Sequence, residues 1–230
     1  MGILLDIVND EQLCDMMCGK PEDSMKYIIM AGTNSDGFKE PRQLFEINKE
    51  PLIARTIRLL QEAGIDDIAI SSNDSRFEKF GVPVLRHENH KWLDAFYPTD
   101  EPTCYIFGDV LFSMNAINTI VNVVTDDVQF FASAPPFTKQ YIKKWAEPFA
   151  FKVQDQEHFQ EAIRVCNGYA KQGLFKRPPI AWELWQVLKQ TPLNEIRYDN
   201  YCVVNDYTCD IDTPIDGSML QARMIEWQIT

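Results

Sequence analysis

Three short stretches of this chain carry residues whose types and spacing suit phosphate and metal chemistry. The first is AGTNSDGFKEPRQL, Ala31 to Leu44, a polar loop with two glycines that ends in Pro41-Arg42-Gln43. The second is YIFGDV, in which Asp109 follows an apolar run and Gly108, a glycine read as letting the backbone turn. A carboxylate projecting there suits a hard divalent cation that also holds phosphate oxygens. Gly-Asp is equally an ordinary turn pair, and a cap for the following helix is the other reading, although Ser113 fits that cap better. The third is CDIDTPID, with Asp210, Asp212 and Asp216. Asp210 and Asp212 are two apart, so on an extended segment they point the same way. Two carboxylates on one side can hold Mg2+ with water completing its octahedron. The alternative has Asp212 or Thr213 capping the helix that starts at Pro214.

Two further groups read more plainly. His87 and His90 flank Glu88, but no third ligand is evident, so they are read as polar surface or supporting residues. PPIAWELWQVL places Ile180, Trp182, Leu184, Trp185 and Leu188 at helical spacing, which favours core or partner packing over an aromatic ligand box.

The elements that must position these residues follow from periodicity. KYIIMAG is a continuous apolar run ending in glycine, the pattern of a central parallel strand. PLIARTIRLLQEAG puts Leu52, Ile53, Ile57 and Leu60 on one helical face, with Gly64 as its stop. DDIAISSN, VPVLRHE, TCYIFGDVLFS and VQFFASAP are further strands, and MNAINTIVNVV is a helix. The second half adds helices in QEHFQEAIRVCNGYAKQG and PIAWELWQVLKQ, a strand candidate EPFAFKV, and a tail of strand, loop and helix. This alternation predicts an α/β fold with a mainly parallel sheet and helices on both faces. Residues 3–18 have helical spacing and are stopped by Gly19-Lys20-Pro21, so residues 1–24 are expected to form a helical extension on a domain spanning 25–230. In open parallel sheets ligands gather beyond the C-terminal strand ends, so Gly32 to Arg42, Asp109 and Asp206 to Asp212 are expected to share one crevice.

Composition narrows the function classes. Of 230 residues, 45% are hydrophobic, enough for a sizeable core. The net charge of −12 argues against a protein that lives on nucleic-acid backbone. No apolar run approaches a membrane span, and the acidic start does not suit a signal peptide, so a cytoplasmic protein is expected. The six cysteines form no CxxC pair and are expected to be reduced. A nicotinamide-dehydrogenase reading fails, because no GxGxxG turn follows the first strand.

Taken in order, the three stretches resemble the nucleotidyltransferases that build nucleotide-activated sugars and alcohols. YIIMAGTNSDGFKEPRQLFEINKEPLIARTIRLLQEAGIDDIAISSN is similar to that family's first strand, loop and helix, YIFGDVLFS to its Gly-Asp strand, and DIDTPIDGSML to the string before its last helix. The resemblance implies a nucleotide-diphospho-sugar transferase-like (Rossmann-like) fold. It also implies transfer of a nucleoside monophosphate from a triphosphate to a sugar phosphate or small alcohol phosphate, with release of pyrophosphate. Met30, Ala31, Gly32, Thr33 and Asn34 would line the nucleotide, and Arg42 stands at the family's phosphate-contacting lysine. Asp109 and Asp212 stand at its Mg2+ carboxylates, with Asp210 a third candidate and Asp109 also near the nucleotide. The loop departs from the family pattern at Asn34 and Asp36, so Lys39 is the candidate to replace the missing arginine beside Arg42 in catalysis. Met30 replaces a small residue and narrows the base pocket. The DIDTPID string leans towards cytidylyl-transferring relatives, hence CTP as the favoured triphosphate and polysaccharide assembly as the setting. A homodimer is compatible with the family. The competing expectation is a nucleotide- or sugar-nucleotide-binding protein of the same fold with weak or no catalysis.

Overall fold

The computed structural model describes residues 25–32, 37–87, 91–134 and 145–226. The expected N-terminal helix, with Cys14 and Cys18, lies outside these residues. So do Thr33, Asn34, Asp36 and His90.

The apolar run after Met25 forms β1 (Lys26–Met30). The loop beyond it ends in a 3-10 turn (Arg42–Leu44) and a small hairpin, β2 (Glu46–Ile47) and β3 (Glu50–Pro51). Helix α1 (Leu52–Glu62) follows and buries Leu52, Ile53, Ile57 and Leu60, the face its spacing predicts. It stops as its sequence requires. Gly64 takes a left-handed φ of 84°, its N–H donates to the Gln61 carbonyl (2.9 Å), and the Ile65 N–H donates to Leu60 (3.0 Å). These two bonds satisfy the last carbonyls of the helix. The chain continues through β4 (Ile68–Ser71), β5 (Val84–Leu85), a 3-10 turn (Trp92–Ala95), β6 (Thr103–Phe107) and β7 (Val110–Leu111). After them come α2 (Met114–Asn122), β8 (Val128–Ser133), β9 (Pro148–Val153), α3 (Gln156–Lys171) and α4 (Ala181–Leu188). β10 (Cys202–Val204), β11 (Cys209–Asp210) and α5 (Pro214–Glu226) are the last of the described elements.

Among the described residues, seven strands make one sheet in the order β10-β8-β9-β6-β1-β4-β5. The pairs β1·β4, β1·β6, β4·β5 and β8·β10 are parallel, whereas β9 runs antiparallel to both neighbours. β1 and β6 are buried along their lengths from Tyr27 and Thr103 onward, which is why they read as unbroken apolar runs rather than alternating ones. An aromatic cluster fills the core beside β6 and β9, with Phe96 packed edge-on against Tyr105, Phe151 and Phe159. Cys104 and Cys166 are buried, Cys202 and Cys209 are partly buried, and none of these four described cysteines is in a disulfide. No helix among the described residues is long and apolar enough to cross a membrane.

Candidate active site

The three motifs meet at one edge of the sheet. Ala31 leaves β1 with its N–H donating to the Ser71 carbonyl at the end of β4 (3.0 Å), so Gly32 emerges beyond the parallel strand ends. A side-chain carbon at Gly32 would meet no atom within 4 Å, and the residue borders a cavity. Gly108 is different. A Cβ there would lie 2.7 Å from the Met30 carbonyl oxygen and 3.0 Å from Gln43 Cγ. Its φ is not left-handed. The chain does turn at residues 108–109, between β6 and β7, but what requires glycine at 108 is the close approach of β1 and the Arg42–Leu44 turn rather than its φ.

Asp109 follows at the cavity wall. It is joined to the third motif by a two-strand ladder in which Asp210 pairs with Val110 and Cys209 with Leu111. The ladder is extended by the Ile211 N–H donating to the Asp109 carbonyl (2.9 Å). Arg42 closes the triangle: Nη1 donates to Asp212 Oδ1 (3.0 Å) and to the Ile211 carbonyl (3.4 Å), and it lies 3.6 Å from Asp109 Oδ2. These three side chains remain partly open, at 27% (Arg42), 23% (Asp109) and 38% (Asp212) exposure. Both capping alternatives are settled. Ser113 Oγ accepts from the Ala116 N–H (2.8 Å) and caps α2. At α5, Thr213 Oγ1 accepts from Asp216 N (3.3 Å) while Asp216 Oδ2 accepts from Thr213 N (2.8 Å). The caps shown are made by Ser113 and by the Thr213–Asp216 pair.

A small second core holds the motifs together. Ile47, Leu52, Leu111, Ile211 and Leu220 are buried in it, with Phe38, Phe45 and Cys209 packed against them. The Phe45 ring lies over Gly217 of α5, so close that a Cβ at 217 would come within 2.3 Å of it, and Phe38 meets Phe45 edge-on at 6.0 Å. A Cβ built on Gly37, whose φ is 84°, would lie 3.6 Å from Pro214 Cδ, so this turn of the loop lies near the start of α5. The first loop, β7, β11 and α5 are thereby clamped to one another.

The cavity over this edge has a volume of about 700 Å3. Strand order divides it. At its centre lie Met30, Ala31, Gly32, Arg42, Asp109 and Trp92. On the β4–β5 flank lie Asn73 and His87, whose backbone N–H donates to Asn73 Oδ1 (2.9 Å), together with Lys91. On the β9–β10 flank lie Trp145, Arg177, Ile180, Trp182, Ile196 and Tyr198. Asp210 and Asp212 border the same space. Lys39 is exposed on the loop and is not among the residues bordering the cavity.

Several of these positions were not singled out from sequence. Asn73 had a usable signal, since it ends a predicted parallel strand. Trp145, Arg177 and Tyr198 had none, because they come from irregular segments far apart in the chain. Glu147 is another. It is 1% exposed, its N–H donates to Ser133 Oγ (2.8 Å), and its Oε2 accepts the Asp210 N–H (3.0 Å), which fixes Asp210 at the cavity edge.

The electrostatics are set by crowding. Burial pushes the Asp109 carboxyl up, the Arg42 guanidinium pulls it down, and Asp210 and Asp212 push it up again, leaving it at about 6. The donor types suit Mg2+, a hard cation that takes carboxylate oxygens. In the arrangement seen, however, no three His, Cys, Asp or Glu residues among those described stand close enough to hold an ion. The Arg42 guanidinium bridges Asp109 and Asp212 instead.

The mostly parallel sheet thus carries the Gly-Asp strand end, the polar first loop and the acidic string before the last helix at one edge. Residues 27–94, from β1 through most of the Trp92–Ala95 turn, match the family described as the MobA-like NTP transferase domain. No curated protein matches the sequence. Among solved structures, the inositol-1-phosphate CTP transferase from T. maritima superposes with a TM-score of 0.57 at 13% identity, over 89% of this chain and 98% of that one. A CMP:2-keto-3-deoxy-manno-octonic acid synthetase complexed with CTP gives 0.55 at 14% identity, over 89% and 100%. The CTP:phosphocholine cytidylyltransferase from Streptococcus pneumoniae gives 0.51 at 16%, over 87% and 99%. These likenesses establish the fold, and the resemblance to nucleotidyltransferases drawn from the three motifs is borne out.

Proposed function

We propose that this protein is a Mg2+-dependent nucleotidyltransferase. It joins a nucleoside monophosphate from a triphosphate, CTP favoured, to a sugar phosphate or small alcohol phosphate and releases pyrophosphate. The observation that carries this reading is the convergence of Arg42, Asp109 and Asp212, one from each motif, beside Ala31 and Gly32 on one cavity. An acceptor phosphate oxygen attacks the α-phosphorus, the bond to the β-phosphate bridge breaks, and pyrophosphate leaves. Such a reaction asks the protein for positioning and charge neutralisation rather than covalent chemistry.

Ala31 and Gly32 let the nucleotide approach the backbone, with Thr33 and Asn34 continuing that loop. The open space at Gly32 supports this role. Arg42 turns its planar fork from Asp212 and Asp109 to the phosphates, and Lys39, exposed on the loop outside the cavity wall, would swing in to supply a second positive charge. Asp109 and Asp212, with Asp210 beside them, would hold the Mg2+, which when bound neutralises phosphate oxygens and stabilises the developing charge. A protein of net charge −12 needs such a counter-charge to admit a polyanion.

The test is pyrophosphate release from each of the four NTPs with Mg2+ and a panel of phosphomonoesters. Asp109→Ala should abolish metal-dependent release, a loss of several kcal/mol, on the order seen for a removed charge clamp. Near-native turnover would remove Asp109 from the site. Arg42→Lys should lower the rate if the fork matters, and an unchanged rate would leave charge alone as its contribution. The ion pairs that occupy Arg42 favour a second reading, a nucleotide-binding protein with weak or no catalysis. Measurable NTP binding without pyrophosphate release from any pair would select it.

A further inference from the structure

Resting on that reading, with the nucleotide beside Ala31 and Gly32 at the end of β1, the β9–β10 flank on the other side of β6 is the part of the cavity left for the acceptor. We infer that this flank selects a phosphomonoester with a methyl-rich, weakly hydrated body, such as a quaternary ammonium or branched alkyl group, over a polyhydroxylated sugar. Its wall is built from Trp145, Ile180, Ile196 and Tyr198. Trp145 is 47% exposed, so much of its ring is open to a ligand. Tyr198 meets Trp182 edge-on at 4.8 Å, and Trp182 is itself fixed by its Nε1 donating to the Ala146 carbonyl (3.0 Å). The wall is therefore largely preformed, which lowers the ordering cost of binding.

A sugar pressed against such a wall would lose water from its hydroxyls without gaining matching partners. A methyl-rich body gains by apolar burial, and a cationic one gains further from the electron-rich ring faces. Arg177 is the polar exception. Its Nε donates to Glu183 Oε1 (2.6 Å), and Glu183 is buried and also accepts the Ile180 N–H (3.1 Å). The Arg177 Nη2 also donates to Glu183 Oε2 (3.4 Å), so the guanidinium is paired at two points and its charge towards the body of the acceptor is balanced by Glu183.

The experiment compares three acceptors with each NTP and Mg2+. They are phosphocholine, its neutral carbon isostere with a tert-butyl group in place of trimethylammonium, and a hexose phosphate. One or both methyl-rich acceptors should exceed the hexose phosphate in kcat/KM by about tenfold or more. Phosphocholine above its isostere assigns the gain to charge on the rings, and parity assigns it to apolar burial. A hexose phosphate that matches or beats both overturns the inference while leaving nucleotidyl transfer intact. Trp145→Ala should raise the acceptor KM by about fivefold and leave the NTP KM unchanged, whereas a general structural defect would move both. If no pair releases pyrophosphate, nucleotidyl transfer is what fails, and calorimetry decides the acceptor inference separately. Saturable binding of a methyl-rich phosphomonoester, weakened by Trp145→Ala, sustains it, and no saturable binding overturns it.

Discussion

Ionisation of Asp109 is opposed by burial, favoured by Arg42, and opposed again by Asp210 and Asp212, with a net rise from 3.8 to about 6. The folded protein therefore holds this proton more tightly than the unfolded chain, and stability falls as pH rises through that window. Asp109→Asn should accordingly be more stable than the native protein near neutral pH in a chelating buffer, by on the order of 1–3 kcal/mol. The gain should shrink as pH falls through about 6 and vanish below 3.8, where both states are protonated. Chemical denaturation across pH checks this, and a variant less stable at neutral pH would contradict it. The glycines of the first two motifs make an opposite pair. Gly108→Ala drives a carbon against the Met30 carbonyl and should cost about 1–3 kcal/mol. Gly32→Ala meets open space, so its unfolding midpoint should hold while nucleotide-induced stabilisation drops. Sequence marks both positions as special. It cannot separate a glycine kept for packing from one that faces a cavity, because that depends on what lies across the sheet.

At the scale of elements, most of the fold was legible where one local signal decides the outcome. The β1 and β6 runs, the apolar face of α1 with its Gly64 stop, the Ser113 cap and the Pro214 helix start all appear as read. The direction of β9 was not legible, since PFAFKV has the same pattern whichever way it pairs. Nor was the β7–β11 ladder, two residues long on each side, although it sets Asp109 beside the acidic string. Lys152 shows the same limit. It lies in β9 and looks like a surface lysine in sequence, yet it is buried and donates to the carbonyls of Ile120 (3.2 Å), Val121 (2.8 Å) and Val123 (2.7 Å) at the end of α2. Burial lowers its pKa, but the carbonyl dipoles reward the charge that remains. Lys152→Met should destabilise the protein by about 2–4 kcal/mol, because the α2 carbonyls lose a charged donor in a partly buried place. Thermal unfolding measures it, and a neutral effect would show that water replaces the ammonium there.

Over the whole molecule, the site is a product of topology. The sheet order brings the ends of β1 and β6 together, and the small core under them fastens the first loop to α5. Arg42, Asp109, Asp210 and Asp212 were legible because each sits in a recognisable string. The aromatic flank was not, because Trp145, Arg177 and Tyr198 reach the cavity from separate irregular segments. If the small core is what couples the motifs, weakening it should loosen ligand response more than it lowers stability. Phe45 tests this. It is only partly buried, packs on Phe38 and Gly217, and borders no part of the cavity. Phe45→Ala should cost about 1–3 kcal/mol of folding stability, less than a fully buried phenylalanine would. The melting-point rise produced by CTP with Mg2+ should fall disproportionately, since binding would then have to order the loop and α5 against each other. Parallel thermal-shift titrations of the native protein and the variant separate the two effects. A variant that melts lower yet keeps the full ligand-induced rise would show that the motifs are held in place by the sheet alone.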